Sequence, residues 1–153
     1  MNPVKQTVLH DPEKGKHGNC LSAVLASLLH LPIEDVPVFS APYPEWQNQL
    51  NEWLRPFGLA YIQVGDFAKW CNDFGIRGCH HELGGSSPRN TDISHACVGV
   101  DGDLVFDPHP DNSGLANIEA SGIFIALEPW RYVLDGVECP AKEPQWVQPM
   151  VGA

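Results

Sequence analysis

The sequence predicts an α+β domain in which an N-terminal helix packs centrally on a small antiparallel sheet. Two observations carry that expectation. Leu21, Val24, Leu25, Leu28 and Leu29 recur early in the chain, the i, i+3, i+4, i+7, i+8 spacing of a buried helix face. The clearest β-rich runs come later, so helices precede strands rather than alternating with them as in a doubly wound sheet. At 153 residues the chain reads as one domain, 1–153, long enough to bury a core without metal or disulfide staples.

Residues 1–18 are expected to be extended and then looped, because Pro3, Pro12, Gly15 and Gly18 interrupt any helix. The first helix is expected over 20–30, with Pro32 stopping it; the small residues Ser22, Ala23, Ala26 and Ser27 allow close packing on its other faces. After the proline-punctuated "IEDVPVFSAPYP", a second helix is expected over 44–56. It carries Trp46, Leu50, Trp53 and Leu54 on one stripe and ends at Gly58. "LAYIQV", 59–64, reads as a strand. Asp66 is expected to cap a short third helix bearing Phe67, Trp70, Cys71 and Phe74, stopped at Gly75. The Trp residues at helical spacing, Trp70 included, read as core. Residues 76–93, centred on "GGSSPRN", read as loop. "HACVGVDGDLVFDPHP" is the best hairpin signal, two β-rich runs joined around Asp101-Gly102. "GIFIAL", 122–127, reads as another strand, and 135–153, with three prolines, as a surface-wrapping tail.

With 43% hydrophobic and 18% charged residues, the chain is too apolar to be disordered. Its net charge of -10, spread along the sequence, repels phosphate backbones and argues against a nucleic-acid partner. No apolar run reaches the roughly 18 residues of a membrane span. The N-terminus "MNPVKQTVLHDPEKG" lacks the apolar core of a secretory signal. The expectation is a cytoplasmic protein with no membrane partner. Cys20, Cys71, Cys79, Cys97 and Cys139 form an odd set without a C-x-x-C pair and read as mostly free thiols in a reducing compartment. Cys71 and Cys97 sit in apolar-periodic segments and are expected in the core, and Cys139 is expected to be inert.

Cys20 is the candidate nucleophile. It falls in the first turn of the first helix, with Gly18 or Asn19 as cap, where unpaired backbone N–H groups carry partial positive charge. Those groups favour a thiolate and lower its pKa, and they can donate to an oxyanion. Gly18 leaves room for a substrate to approach the backbone. The plainer reading makes Cys20 a small core residue, so the choice rests on whether the chain supplies a base and a group to orient it. His95 opens the first strand of the hairpin and Asp107 closes the second. If Asp101, Gly102 and Asp103 form a three-residue loop, Val100 pairs with Leu104 and Cys97 faces Asp107. His95 shares a face with Cys97, which puts Asp107 diagonal to it, about 5 to 8 Å away between backbones. A two-residue loop would turn Asp107 to the opposite face. The triad therefore predicts the three-residue turn.

"GNCLSAVLASLLHLPIEDVP", the Trp-rich helix, "SHACVGVDGDLVFDPHPDNSGL" and the apolar strand after it together resemble a group of small, mostly uncharacterised phage and bacterial proteins. That group is similar in outline to papain-like cysteine peptidases, especially the bacteriocin-leader-processing branch with its Gln, Cys, His, Asp order. The match runs from Gln6 to Leu127. It implies a papain-like fold with Cys20 as nucleophile, His95 as general base, Asp107 as orienter and Gln6 as oxyanion donor. Asn19, beside the cysteine, is a further oxyanion candidate. The implied activity is cysteine-dependent acyl hydrolysis or transfer on a peptide or isopeptide bond of a peptide or protein substrate, with no cofactor. Two departures stand out: Gln6 precedes Cys20 by a longer interval than in papain-type enzymes, and Leu21 replaces the Gly that often follows the cysteine in leader peptidases.

Two rival readings remain. Cys79, His80 and His81, with His95, Cys97 and His109 later, offer soft ligands for zinc. Adjacent histidines on a strand do not face one ion, however, and no paired cysteine spacing supports them, so no metal is expected. His80 or His81 would instead line the cleft. The other rival is an inactive papain-like domain used for binding. Nothing in the sequence sets an oligomeric state.

Overall fold

The computed structural model describes residues 1–132; the expected tail at 135–153, including Cys139, lies outside them. The helices are α1 (Cys20–Leu29), α2 (Glu45–Leu54) and α3 (Phe67–Phe74). The strands are β1 (Leu59–Val64), β2 (His80–Ser87), β3 (Asn90–Val100), β4 (Asp103–Phe106) and β5 (Asn117–Ala126). They form one antiparallel sheet in the order β1-β5-β2-β3-β4. This is an α+β arrangement of three helices and five strands among the described residues. No helix there is long and apolar enough to cross a membrane.

α1 is central because its small residues let neighbours close in on it. Every residue from Ser22 to Ser27 is buried. The two hydroxyls are satisfied internally: Ser22 Oγ donates to Pro37 O (2.7 Å), and Ser27 Oγ donates to Ala23 O (2.8 Å) while accepting Val4 N–H (2.9 Å). Leu25 and Ala26 join Leu50, Leu54 and Tyr61 in one cluster, which binds α1 to α2 and β1. Val24 packs on Ala96 and Val98 and seats the helix on β3. Each fully buried leucine in such a core contributes about 1.5 to 3 kcal/mol. α1 ends at His30, which takes a left-handed conformation (φ 56°) and returns its N–H to Ala26 O, two residues before the proline expected to stop it.

The stretch 76–93 departs most from expectation. It holds β2 and the start of β3, not a loop. β2 lies inside the sheet, between β5 and β3, and its glycines are what the packing requires. A Cβ on Gly85 would stand 1.8 Å from Asn117 O, so the close approach of β5 excludes a side chain there. His95 consequently sits in the middle of a long strand rather than opening one. β5 is also longer than expected, starting at Asn117 instead of 122. Asp66 occupies the N-cap position of α3 but has φ 49° and makes no side-chain cap. Trp46 and Trp53 pack against the core as their stripe predicts, whereas Trp70 is largely exposed.

The hairpin turn also differs. Val100 pairs with Asp103, so the loop is the two residues Asp101-Gly102, both at positive φ (54° and 92°), as in a type I′ turn. The turn is held from outside. Gly78 and Cys79 N–H donate to the Asp101 carboxylate, and Gly102 N–H donates to His81 Nε2 (2.9 Å). Uncorrected, a two-residue loop would point Asp107 away from His95. The correction is a bulge: Gly99 pairs with Leu104 but Val98 with Phe106, leaving Val105 unpaired. One extra residue reverses the facing of everything beyond it, and Asp107 returns to the face of His95 and Cys97. Deleting Val105 should therefore keep the turn and lose the His95–Asp107 contact. NMR titration of the His95 ring should then show a lower pKa than in the unaltered protein, and an unchanged titration would contradict this register.

Candidate active site

His95 and Asp107 are both buried, at 6% and 4% exposure, and His95 Nε2 lies 2.8 Å from Asp107 Oδ1. The carboxylate has further donors: His109 N–H reaches Oδ1 (2.8 Å) and Gly114 N–H reaches Oδ2 (2.7 Å). Burial pushes Asp107 up, but the His95 bond and the two N–H donors outweigh it and hold the carboxyl below its usual range. An ionised carboxylate only accepts, so Nε2 carries the imidazole proton. That leaves Nδ1 of a neutral His95 as the basic nitrogen. Burial lowers the His95 pKa, and the hydrogen bond that Nε2 donates to Asp107 only partly offsets this, so the ring is neutral at pH 7.

Cys20 is the first residue of α1, after the N-cap Asn19. Its thiol and His95 line the same cavity, of about 510 Å³, with Gly18 at its rim. The backbone N–H groups of Ala96, Leu21 and Cys20 lie against the sulfur and favour its charge, yet burial outweighs them and raises the pKa; the nearby Glu82 adds to the rise. This corrects the expectation of a lowered value. At rest the thiol and the imidazole that share this cavity are both neutral.

The other candidates have different places. Asn19 bonds to the N-terminal segment: Oδ1 accepts from Thr7 and Val8 N–H (3.1 and 2.9 Å), and Nδ2 donates to Thr7 Oγ1 (2.9 Å). It clasps the N-terminal segment to the helix start rather than presenting its amide to the cavity. Gln6 is buried and does not line the cavity; its Nε2 donates to Val8 O (2.9 Å) and its Oε1 has no partner. His80 is exposed and also off the cavity. His81 is completely buried, with Nδ1 against Glu82 O and Nε2 accepting from Gly102. It braces the hairpin and is available neither to a cleft nor to a zinc ion held with Cys79 and His80.

Among the described residues, one group has the proximity a metal would need: His95, Cys97 and Asp107, with polar atoms within 4.8 Å of one another. A cation there would have to break the His95–Asp107 hydrogen bond. It would also have to displace the hydrogen bond between the Cys97 thiol and Asp107. The residues fit a proton-handling pair better than a metal centre.

Sequence reasoning missed Glu82. It sits on β2, in the stretch read as loop, so its alternation had no strand to belong to. It lines the cavity at 4% exposure and accepts from the Tyr61 hydroxyl (3.1 Å). Gly122 makes space for that tyrosine, since a Cβ would stand 2.2 Å from its ring. Compared with family models, curated proteins and solved structures, the chain matches none.

Burial raises Glu82 to about 7 from 4.5, so the folded state binds more protons between those values. Stability that is full below pH 4.5 is then lost as pH rises through 7, on the order of 3 kcal/mol from this one group. His95 runs the other way: its lowered pKa makes it destabilising as pH falls below the ordinary histidine value. Denaturant midpoints at pH 5 and pH 8 should show Glu82→Gln flattening the alkaline loss. Equal losses in both proteins would contradict the placement of this carboxyl.

Proposed function

We propose that the protein is a cysteine-dependent acyl hydrolase or transferase of papain-like architecture, acting on a peptide or isopeptide bond. The observation that supports this best is a buried His95, bonded to Asp107, that shares a cavity with a cysteine at a helix start. A carboxylate-oriented imidazole with one free nitrogen is the arrangement general-base catalysis needs.

In this reading His95 Nδ1 takes the proton from the Cys20 thiol as the sulfur attacks the substrate carbonyl carbon. Asp107 holds the imidazolium so formed. The N–H groups at the start of α1 receive the negative oxygen of the tetrahedral intermediate. Collapse of that intermediate breaks the C–N bond, and His95 returns its proton to the leaving amine. Water, deprotonated by the same histidine, then hydrolyses the thioester and restores the thiol; an amine in place of water gives transfer. Gln6 is given no part in this sequence, because it does not line the cavity that holds Cys20 and His95.

The raised Cys20 pKa favours a second reading, a binding domain of the same shape whose cysteine is packing. Thiol chemistry separates the two. Iodoacetamide labelling followed by peptide mass spectrometry should modify Cys20 faster than Cys79 at pH 7.5. His95→Ala should slow Cys20 by about 100-fold or more and leave Cys79 unchanged. Labelling of Cys20 no faster than Cys79, and indifferent to His95→Ala, would leave the binding reading standing.

A further inference from the structure

We propose that the cavity selects a substrate carrying a cationic side chain, lysine or arginine, whose charged end docks on Glu82. The inference rests on the reading above only in taking the cavity for the substrate cleft.

Three features of the cavity lead there. The first is Glu82 itself, almost wholly buried yet without a cationic partner. Oε2 accepts from Tyr61 (3.1 Å) and the backbone N–H of Gly122 lies against the carboxyl, but no cationic side chain among the described residues pairs with Oε1. That oxygen projects over Gly84, another lining residue, 3.0 Å from where a Cβ would stand. The glycine keeps the carboxyl open to the cavity. A buried carboxyl lacking a counter-charge is costly, and a cation delivered by a ligand removes the cost.

The second feature is the sign of the lining. Glu82, Asp92 and Glu119 contribute carboxylates, and among the described residues no lysine or arginine lines the cavity. Its other ionisable groups are the exposed His10 and His17, which meet edge to face at 5.6 Å, together with His95 and Cys20. A cavity of one sign attracts the opposite charge before contact.

Shape is the third feature. Leu21, Phe39 and Trp46 supply apolar wall beside the carboxyl. Methylenes against apolar wall with a charged end on a carboxylate is how long basic side chains are held. Glu82 and Cys20 line the same cavity, so a basic residue docked on Glu82 would sit in the same cleft as the bond under attack.

The test is a pair of isosteres, N-acetyl-lysine methylamide and N-acetyl-norleucine methylamide, titrated into Cys20→Ala protein and followed by NMR. The lysine compound should bind at least about 10-fold more tightly. Adding Glu82→Gln should bring the two within about twofold, whereas Glu119→Gln should keep most of the preference. A ratio near one in the Cys20→Ala protein overturns the proposal by itself, even if Glu82→Gln fails to fold. Equal losses from the two glutamate variants would also overturn it, since the general charge of the cleft would then do the selecting. The assay needs no reactive cysteine: preference without Cys20 reactivity keeps this subsite and removes the enzyme, and reactivity without preference does the reverse.

Discussion

A carboxylate held away from water against an imidazole is the constraint on which the rest of this site depends. Asp107 stays ionised while buried because it collects hydrogen bonds from His95, His109 N–H and Gly114 N–H. The segment after β4 must therefore curl around its own first residue. Outside that curl, Arg89 donates to Asp111 (2.9 Å) and Ser113 (2.5 Å), tying the loop to the β2–β3 connection. Lys5 reaches in from the N-terminus, donating to Asp107 O and His109 O (2.8 and 2.9 Å) and to Asn112 Oδ1. Gln6 N–H donates to Pro108 O (3.0 Å). One residue further on, Thr7 and Val8 bond to Asn19 at the head of α1. The N-terminal strap thus joins the His–Asp side of the cavity to the cysteine side, and Gln6 is spent on that joint.

Electrostatics follow from the same burial. Cys20 moves up, His95 moves down and Asp107 stays low. Such a site keeps its thiol and imidazole neutral at rest; on the proposed mechanism the proton would be transferred during attack rather than beforehand. Glu82 sharpens this, because a negative charge near the sulfur opposes a thiolate. A cation docked on Glu82 would remove that opposition, so on the proposed reading occupancy of the subsite and activation of the thiol would be coupled through one carboxyl.

The sequence was legible where a single strong pattern governed the outcome. The apolar period and small residues of α1 specified a central helix, and Asp101-Gly102 specified a turn. The hairpin shows how a correct contact can rest on the wrong geometry. His95 and Asp107 meet, but through a two-residue turn and a bulge at Val105 that no local signal announces, since a bulge reflects ladder competition. β2 was hidden because "GGSS" reads as loop by propensity, while the backbone approach at Gly85 is a tertiary fact. Glu82 vanished with it. The expected fall in the Cys20 pKa considered the helix start alone, whereas desolvation by packed neighbours is the larger effect.

The central claim is that His95 rests neutral, protonated on Nε2 toward Asp107, with Nδ1 free to take the proton of Cys20. Nitrogen-15 chemical shifts of the His95 ring at pH 7 read that state directly. A pyrrole-like Nε2 and a pyridine-like Nδ1, with Nδ1 shifting when Cys20 is carboxamidomethylated, is the predicted result. A proton on Nδ1, or a ring indifferent to modification of Cys20, would contradict it.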